Sequence, residues 1–452
     1  MKTELKALSG SVTGKVLFIA FLILILLIPL GMIEGLVNER AFLYGTARDD
    51  IGRSWGQAQT IGGPILVVPF AHTRYVNGQA VRVSDELYVL PEQLEISGRA
   101  EAEERRRGIY KVPVYTTRLE TTGRFAPVTF DTEYQELQVR WEQAAIALPI
   151  TDARSVREPI VLTSGNGTTA FEAGGARVLG LGPLLVAPYA ALGLGELTTP
   201  QAFSFDLVLG GTGGLKFLPL GDETRVMVTS NWASPSFVGA YLPNKRTVDD
   251  GGFTAEWHVL DLGRGYPSSW TRVGLAPPDI EASAFGAALI TPVGVHEAAL
   301  RATKYGVLIL GFTFVAYFLF ELLAPLRLHA LQYLAIGLAN CVFYLLLLAL
   351  AEHVGFAAAY VVSAVASTGL ITSYSGAILT SLRRAAPIGV LLTALYGYLY
   401  VTLKAVDYAL LFGALGVFAV LAGFMYLTRH INWFDVSFGG EADGGTRGQL
   451  HT

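Results

Sequence analysis

The stretch VLFIAFLILILLIPLGMI, residues 16–33, is eighteen residues long and carries no charge. Crossing the hydrocarbon core of a bilayer as a helix takes roughly 20 consecutive apolar residues, so this run predicts a membrane span. Lys2, Lys6 and Lys15, with Glu4, precede it, and a basic flank of this kind stays in the cytoplasm. A cleaved signal peptide has an apolar region of about 7–15 residues ending at a small-x-small site. This run is longer and passes into Glu34, Gly35, Leu36 and Val37, so it reads as an uncleaved anchor.

Composition agrees with a membrane protein. Of the 452 residues, 52% are hydrophobic and only 15% charged, and the mean hydropathy is +0.45. Soluble domains carry roughly 25% charged residues, so the deficit excludes both an ordinary cytosolic enzyme and a disordered chain. A net charge of −4 and a pI near 6.0 leave no basic footprint for nucleic acid, which is excluded as a partner. The lone Cys341 excludes an intramolecular disulfide framework and a multi-cysteine metal site.

Outward from the anchor, residues 38–301 contain no comparable apolar run. They hold 23 Lys/Arg and 29 Asp/Glu, a net charge of −6. Residues 40–55 predict a helix leaving the membrane. Beyond it, alternation at Phe203, Phe205, Leu207 and Leu209, and at Thr224, Val226 and Val228, has the period of strands with one buried face. Gly- and Pro-rich turns punctuate these runs, as at Gly210, Gly211, Thr212, Gly213 and Gly214. Two similar phrases, GPILVVP at 63–69 and GPLLVAP at 182–188, suggest two related β lobes.

After Lys304 five apolar segments follow, at 305–323, 331–350, 356–372, 388–403 and 410–427. With the amino terminus inside, successive loops place Arg327 inside, Glu352 outside, Arg383 and Arg384 inside, Lys404 and Asp407 outside, and Arg429 inside. Lys404 is the one basic residue on the wrong side, so the positive-inside rule supports both termini in the cytoplasm. The fold class is a membrane protein, α + β: six transmembrane helices, one N-terminal and five C-terminal, with a large, mostly antiparallel β periplasmic domain inserted after helix 1. The predicted domains are 1–37 (cytoplasmic N-terminus and helix 1), 38–301 (periplasmic and β-rich), 302–430 (five transmembrane helices) and 431–452 (a flexible cytoplasmic tail). Short cytoplasmic loops leave no room for a nucleotide-binding or kinase module.

Catalytic patterns are missing. No G-x-S-x-G elbow, P-loop or H-E-x-x-H occurs, and the pair His296–Glu297 lacks the second histidine. Histidines 72, 258, 296, 329, 353, 430 and 451 do not pair at metal-ligand spacing. The expectation is therefore no catalytic residue, no metal site and no cofactor. The sequon at Asn166 carries no meaning in a host that does not glycosylate. In the later spans, Glu321, Glu352, Lys404 and Asp407 lie near predicted ends, an argument against ion-coupled transport. Asn340, Tyr344, Ser363, Ser367, Thr368, Thr372 and Ser375 are the uncharged polar residues. Ala359, Ser363 and Ser367 form a small-residue stripe that reads first as helix packing and second as a ligand path.

Longer motifs carry a family resemblance. ERRRGIYKVPVY at 104–115, GRF at 123–125, FLPLGDET at 217–224 and SNWASPSFVGAYLP at 230–243 are similar to signatures of the CreD family of bacterial inner-membrane proteins. RATKYG at 301–306, FLFE at 318–321, EHVGF at 352–356, DYALL at 407–411 and MYLTR at 425–429 extend the resemblance from about residue 15 to Trp433. Two departures stand out. Gly294, Val295 and His296 replace an Asp-x-Tyr, and Ser155 follows Arg154 where glycine is frequent. The resemblance implies a role in cell envelope integrity, a link to a two-component stress regulon, and colicin tolerance on overproduction. It brings no reaction, substrate or catalytic residue.

Within these motifs, Gly108 and Gly239 read as turn glycines, Trp232 and Phe237 as β-core residues, and Arg105, Arg106 and Arg107 as a solvated or ion-paired face. Arg301 and Lys304 are placed to meet lipid phosphates. The expected function is non-enzymatic support of the envelope, the β domain binding a protein or envelope component. The alternative is a transporter or lipid-handling protein that uses the C-terminal helices as a path. Expected partners are the lipid bilayer and either envelope proteins or a two-component sensor kinase.

Overall fold

The computed structural model describes residues 12–76, 79–130, 134–174, 184–272, 279–289, 295–323, 328–405 and 408–431. Arg327, Asp407, Gly182, Pro183, Gly294 and the tail from 432 onward, all read above from sequence, lie outside the described residues. By its internal contacts the chain divides into two compact units, Met1–Leu43 with Val293–Thr452, and Tyr44–Pro292.

The first unit is helical. Helix α1, Val12–Trp55, runs unbroken through the anchor and the predicted exit helix. Its membrane part buries a stripe of Leu22, Leu26, Leu30, Ile33 and Val37, spaced three or four residues apart as one helix face requires. Helices α2 (Val295–Lys304), α3 (Gly306–Leu323), α4 (Ala330–Val354), α5 (Phe356–Ile378), α6 (Leu382–Lys404) and α7 (Ala409–Thr428) follow. Among the described residues, five helices are long and apolar enough to cross a membrane, and the pair α2–α3, bent by 41°, makes up to six. All five C-terminal segments read from hydropathy fall on these helices.

Small residues let α1 pack closely. A side chain on Gly337 of α4 would collide with Leu26, and one on Gly306 would stand 2.8 Å from Leu30. His329 caps α4, its ring accepting from the Leu331 N–H while Gln332 accepts from the His329 N–H. This capping is a structural role for one of the scattered histidines.

The second unit is mostly antiparallel β. Its largest sheet has eight strands: β1 (Gln93–Arg107), β2 (Tyr110–Phe125), β3 (Val161–Ser164), β4 (Gly167–Ala170), β5 (Gln201–Thr212), β6 (Glu223–Ser230), β7 (Lys245–Asp249) and β8 (Gly252–Leu260). Their spatial order is β7-β8-β6-β1-β2-β5-β3-β4, with only β6 and β1 parallel. A four-stranded sheet runs Gln59–Ile61, Gly214–Phe217, Phe285–Leu289, Pro235–Gly239. A seven-stranded sheet is built around Ile65–Val76, Gln79–Val89 and Ala145–Pro149. All three contribute to one core, which includes Ile96, Leu119, Phe205 and Val226 from the large sheet, Phe217 and Phe285 from the four-stranded one, and Val68 and Ile146 from the third.

Two expectations are corrected. Strands Ile65–Val76 and Leu184–Pro188, which carry the repeated phrases, flank the same strand, Ala145–Pro149, in one sheet. They are therefore not separate lobes; their unbroken apolar runs suit interior strands of a single sheet covered on both faces. Gly210 and Gly211 are not turn residues either but belong to β5, and only Gly213, at φ +76, turns the chain. A side chain at Gly211 would collide with the Tyr115 hydroxyl, so these glycines allow close approach within the sheet.

Candidate functional site

Strand alternation leaves one face of the eight-stranded sheet polar. Leu94, Ile96, Leu119, Phe203, Phe205, Val226 and Trp257 point into the core, while their sequence neighbours face away. Cross-strand register then aligns one residue from each of seven strands. His258 on β8 lies opposite Arg225, Arg225 opposite Glu95, and Glu95 opposite Thr122. Thr122 lies opposite Ser204, Ser204 opposite Thr163, and Thr163 opposite Thr168. Every member of this row is polar and exposed.

Five members of the row, Glu95, Thr122, Thr163, Ser204 and Arg225, floor an open trough. A hollow of about 540 Å³ is lined by Glu95, Thr122, Arg124, Thr163, Ser204 and Arg225 among others. A second hollow of about 400 Å³ shares Thr122, Thr163 and Ser204 with it and continues toward Glu120, Asp206 and Arg118. These volumes fall within the roughly 300–1,000 Å³ usual for ligand sites. Arg124 holds both oxygens of Glu92 at 2.9 and 3.0 Å, Arg118 meets Glu158 at 3.0 Å, and Glu223 binds Arg225 and His258. Each of these guanidinium groups is thus paired with a carboxylate at the surface. The hydroxyls of Thr122, Thr163 and Ser204 make no side-chain hydrogen bond to the protein among the described residues and remain turned to the trough.

Chemically, the trough offers paired charges and free hydroxyls to an extended polar molecule. Ser204 has no general base beside it, since His258 is four strands away, about 19 Å at normal strand spacing. Among the described residues no group of three metal-ligating side chains converges.

The motif residues serve mainly to build this unit. Gly108, at φ +61, makes the turn expected of it, whereas Gly239, at φ +103, ends the strand Pro235–Gly239, where the Ala284 carbonyl leaves no room for a side chain. Trp232 and Phe237 pack on the margin of the core, and the Trp232 Nε1–H donates to the Ser234 carbonyl at 3.1 Å. The segment FLPLGDET holds Arg264, whose side chain is wholly buried. Arg264 donates to the carbonyls of Leu220 and Gly221 at 3.1 and 2.7 Å and to Asp222 at 2.8 Å. At the loop that departs from the family pattern, burial works against ionisation of Asp152. Hydrogen bonds from the Arg154 side chain and backbone outweigh it and hold the carboxyl below its ordinary range.

In the helical unit the polar residues read from sequence form a packing seam. Ala359, Ser363, Ser367, Ile371 and Ser375 are buried along one face of α5. The Tyr396 hydroxyl donates to Asn340 at 2.9 Å, the Asn340 amide donates to the Ile336 carbonyl, and Ser375 meets Tyr317. The cleft beside Ser375 measures about 10 Å³, room for one water at most.

Two features went unread in the sequence. Glu321 on α3 is buried and receives Lys15 at 2.6 Å, the Tyr333 hydroxyl at 3.0 Å and the Leu328 N–H at 3.2 Å. Trp55, at the end of α1, lies between the guanidinium groups of Arg105 and Arg157, 4.2 and 4.5 Å from its ring. Lys15 stood out only as flanking charge, and Trp55 had no local signal because its partners are distant in sequence.

Apolar helices enclosing a long β insertion after the first of them define a multi-pass membrane protein with one large folded extramembrane unit. The family model described as "Inner membrane protein CreD" matches residues 11–434. The chain is 32% identical over 430 residues to the "Inner membrane protein CreD" of Escherichia coli (strain K12), covering 92% of each chain. The chain belongs to the CreD family.

Proposed function

We propose that this inner-membrane protein supports the cell envelope without catalysing a reaction, its β unit lying in the periplasm and binding a protein or envelope component through the polar trough. The observation that carries the reading is the seven-strand polar row with its free hydroxyls, a surface suited to an extended polar chain. Paired arginines and carboxylates around it favour a ligand of mixed or neutral charge over a strongly anionic one. The family resemblance supports the envelope role and colicin tolerance on overproduction. The hydrogen bonds Tyr396–Asn340 and Tyr317–Ser375 give the polar residues of the helices a packing role, which favours the trough over a path through the helices.

The test is to crowd the trough without touching the core. Thr122→Arg together with Ser204→Arg places two large side chains on exposed positions. Cells overproducing this variant at normal membrane levels should lose colicin tolerance. Tolerance equal to that of the unaltered protein would sink the trough as the working surface.

A further inference from the structure

Strands β1 and β2 pair without interruption from Gln93 opposite Arg124 to Arg107 opposite Tyr110. Their neighbours stop sooner. β6 accompanies β1 only as far as Ala100, and β5 accompanies β2 only as far back as Val114. Val114 lies opposite Glu103, so the hairpin projects without a neighbouring strand only from Glu104 to Arg107 and back to Pro113, about 13 Å at strand spacing. A two-stranded hairpin is marginal by itself. Here the last part of α1 supports it. Ile51 is buried with Val112 and Val114, the Tyr44 and Tyr110 rings meet edge to face at 6.1 Å, and Arg107 reaches Asp50 at 3.5 Å.

The tip has an unusual composition for this unit. Residues 105–111, RRRGIYK, contain four cations and no acid, within a segment whose net charge is −6. Ile109 is 44% exposed at the turn that Gly108 makes possible. Arg105 pairs with Glu103 and Lys111 with Glu104, but these are exposed pairs of little strength. Arg106 is exposed and makes no ion pair among the described residues.

Position supplies the rest. Tyr110 stands beside Tyr44, the residue at which the chain enters this unit. In the chain, Tyr44 follows the last apolar residue of the first span, Val37, by seven residues. The tip thus belongs to the end of the unit where the chain arrives from its membrane span. Basic side chains around one exposed aliphatic residue are the composition of a surface that meets anionic headgroups.

We propose that the hairpin tip, residues 106–111, forms a lipid-contact site, Arg106 leading the basic side chains that engage phosphates of an anionic bilayer surface and Ile109 entering the headgroup layer. This site is separate from the trough and holds whichever side of the membrane the unit occupies.

The test uses the full chain in nanodiscs, with Cys341→Ala and a single spin-labelled cysteine at Ile109→Cys. Val248→Cys, on the exposed edge strand β7, is the control. In discs containing phosphatidylglycerol the label at 109 should be reached by oxygen and shielded from a water-soluble nickel chelate, whereas the label at 248 should not be shielded. Discs of phosphatidylcholine alone should weaken the shielding. Adding Arg106→Glu should lower the ratio of inserted to water-exposed label about fivefold or more. Equal chelate access at 109 and 248 would overturn the proposal. So would shielding at 109 that ignores lipid charge, which would point to a protein contact instead.

Discussion

At Trp55 the last residue of α1 packs, half-buried, on a small cluster of Ile51, Val112 and Val114 beside the β1–β2 hairpin. Its ring is held between Arg105 and Arg157, its Nε1–H donates to the Tyr115 carbonyl at 3.0 Å, and its carbonyl accepts from Arg157 at 2.8 Å. Nearby, the Tyr115 hydroxyl donates to the Gly214 carbonyl at 2.8 Å, and burial pushes its phenol well above the usual range. Trp55→Ala removes both cation–π contacts and the packing of a half-buried ring, which should cost about 1–2 kcal/mol. Thermal unfolding of the detergent-solubilised chain, followed by near-UV circular dichroism, should show the β transition move down by several degrees. An unchanged transition would mean that the junction does not stabilise the β unit. None of this was legible beforehand, because Trp55 and Tyr115 come together only through the pairing of β1 with β2 and the packing of that hairpin on α1. Gly108 was legible, since a left-handed turn demands glycine wherever it falls.

Elements were easier to read than their contacts. Each apolar run became a helix because burying backbone in lipid leaves few alternatives. The alternation in β5 and β6 predicted which side chains face the core. It did not reveal the polar row, whose members at 95, 122, 163, 204 and 225 are adjacent only through register. The glycines of β5 misled for a related reason: glycine signals a turn and a close approach equally well. Close approach also governs α1 against α4. Gly337→Leu would drive a side chain into Leu26, with no flexible polar tip to move aside. Overpacking of this kind costs about 1–3 kcal/mol. The expected outcome is a lower yield of folded protein on size-exclusion chromatography, partly restored by Leu26→Ala. If the double variant behaves no better than Gly337→Leu, the two residues do not pack as described.

For the molecule as a whole, the distribution of basic residues predicts orientation. In a Cys341→Ala background, Thr168→Cys on the β unit should react with a membrane-impermeant maleimide added to spheroplasts. Leu382→Cys, at the start of α6 beside Arg383 and Arg384, should react only after lysis. The reverse pattern would invert the topology. The strand order carries a further consequence for how the chain is made. Phe285–Leu289, the last strand among the described residues, is inserted between Gly214–Phe217 and Pro235–Gly239, and the parallel pair β1–β6 joins Gln93 to Glu223. Such long-range pairings are slow to form. The four-stranded sheet cannot close until Leu289 has been made, and a nascent chain halted before Phe285 exposes two open strand edges. Biogenesis of this protein therefore has a vulnerable interval, ending only when the residues just ahead of α2 have been delivered, in which chaperone capture and proteolysis compete with completion of the fold.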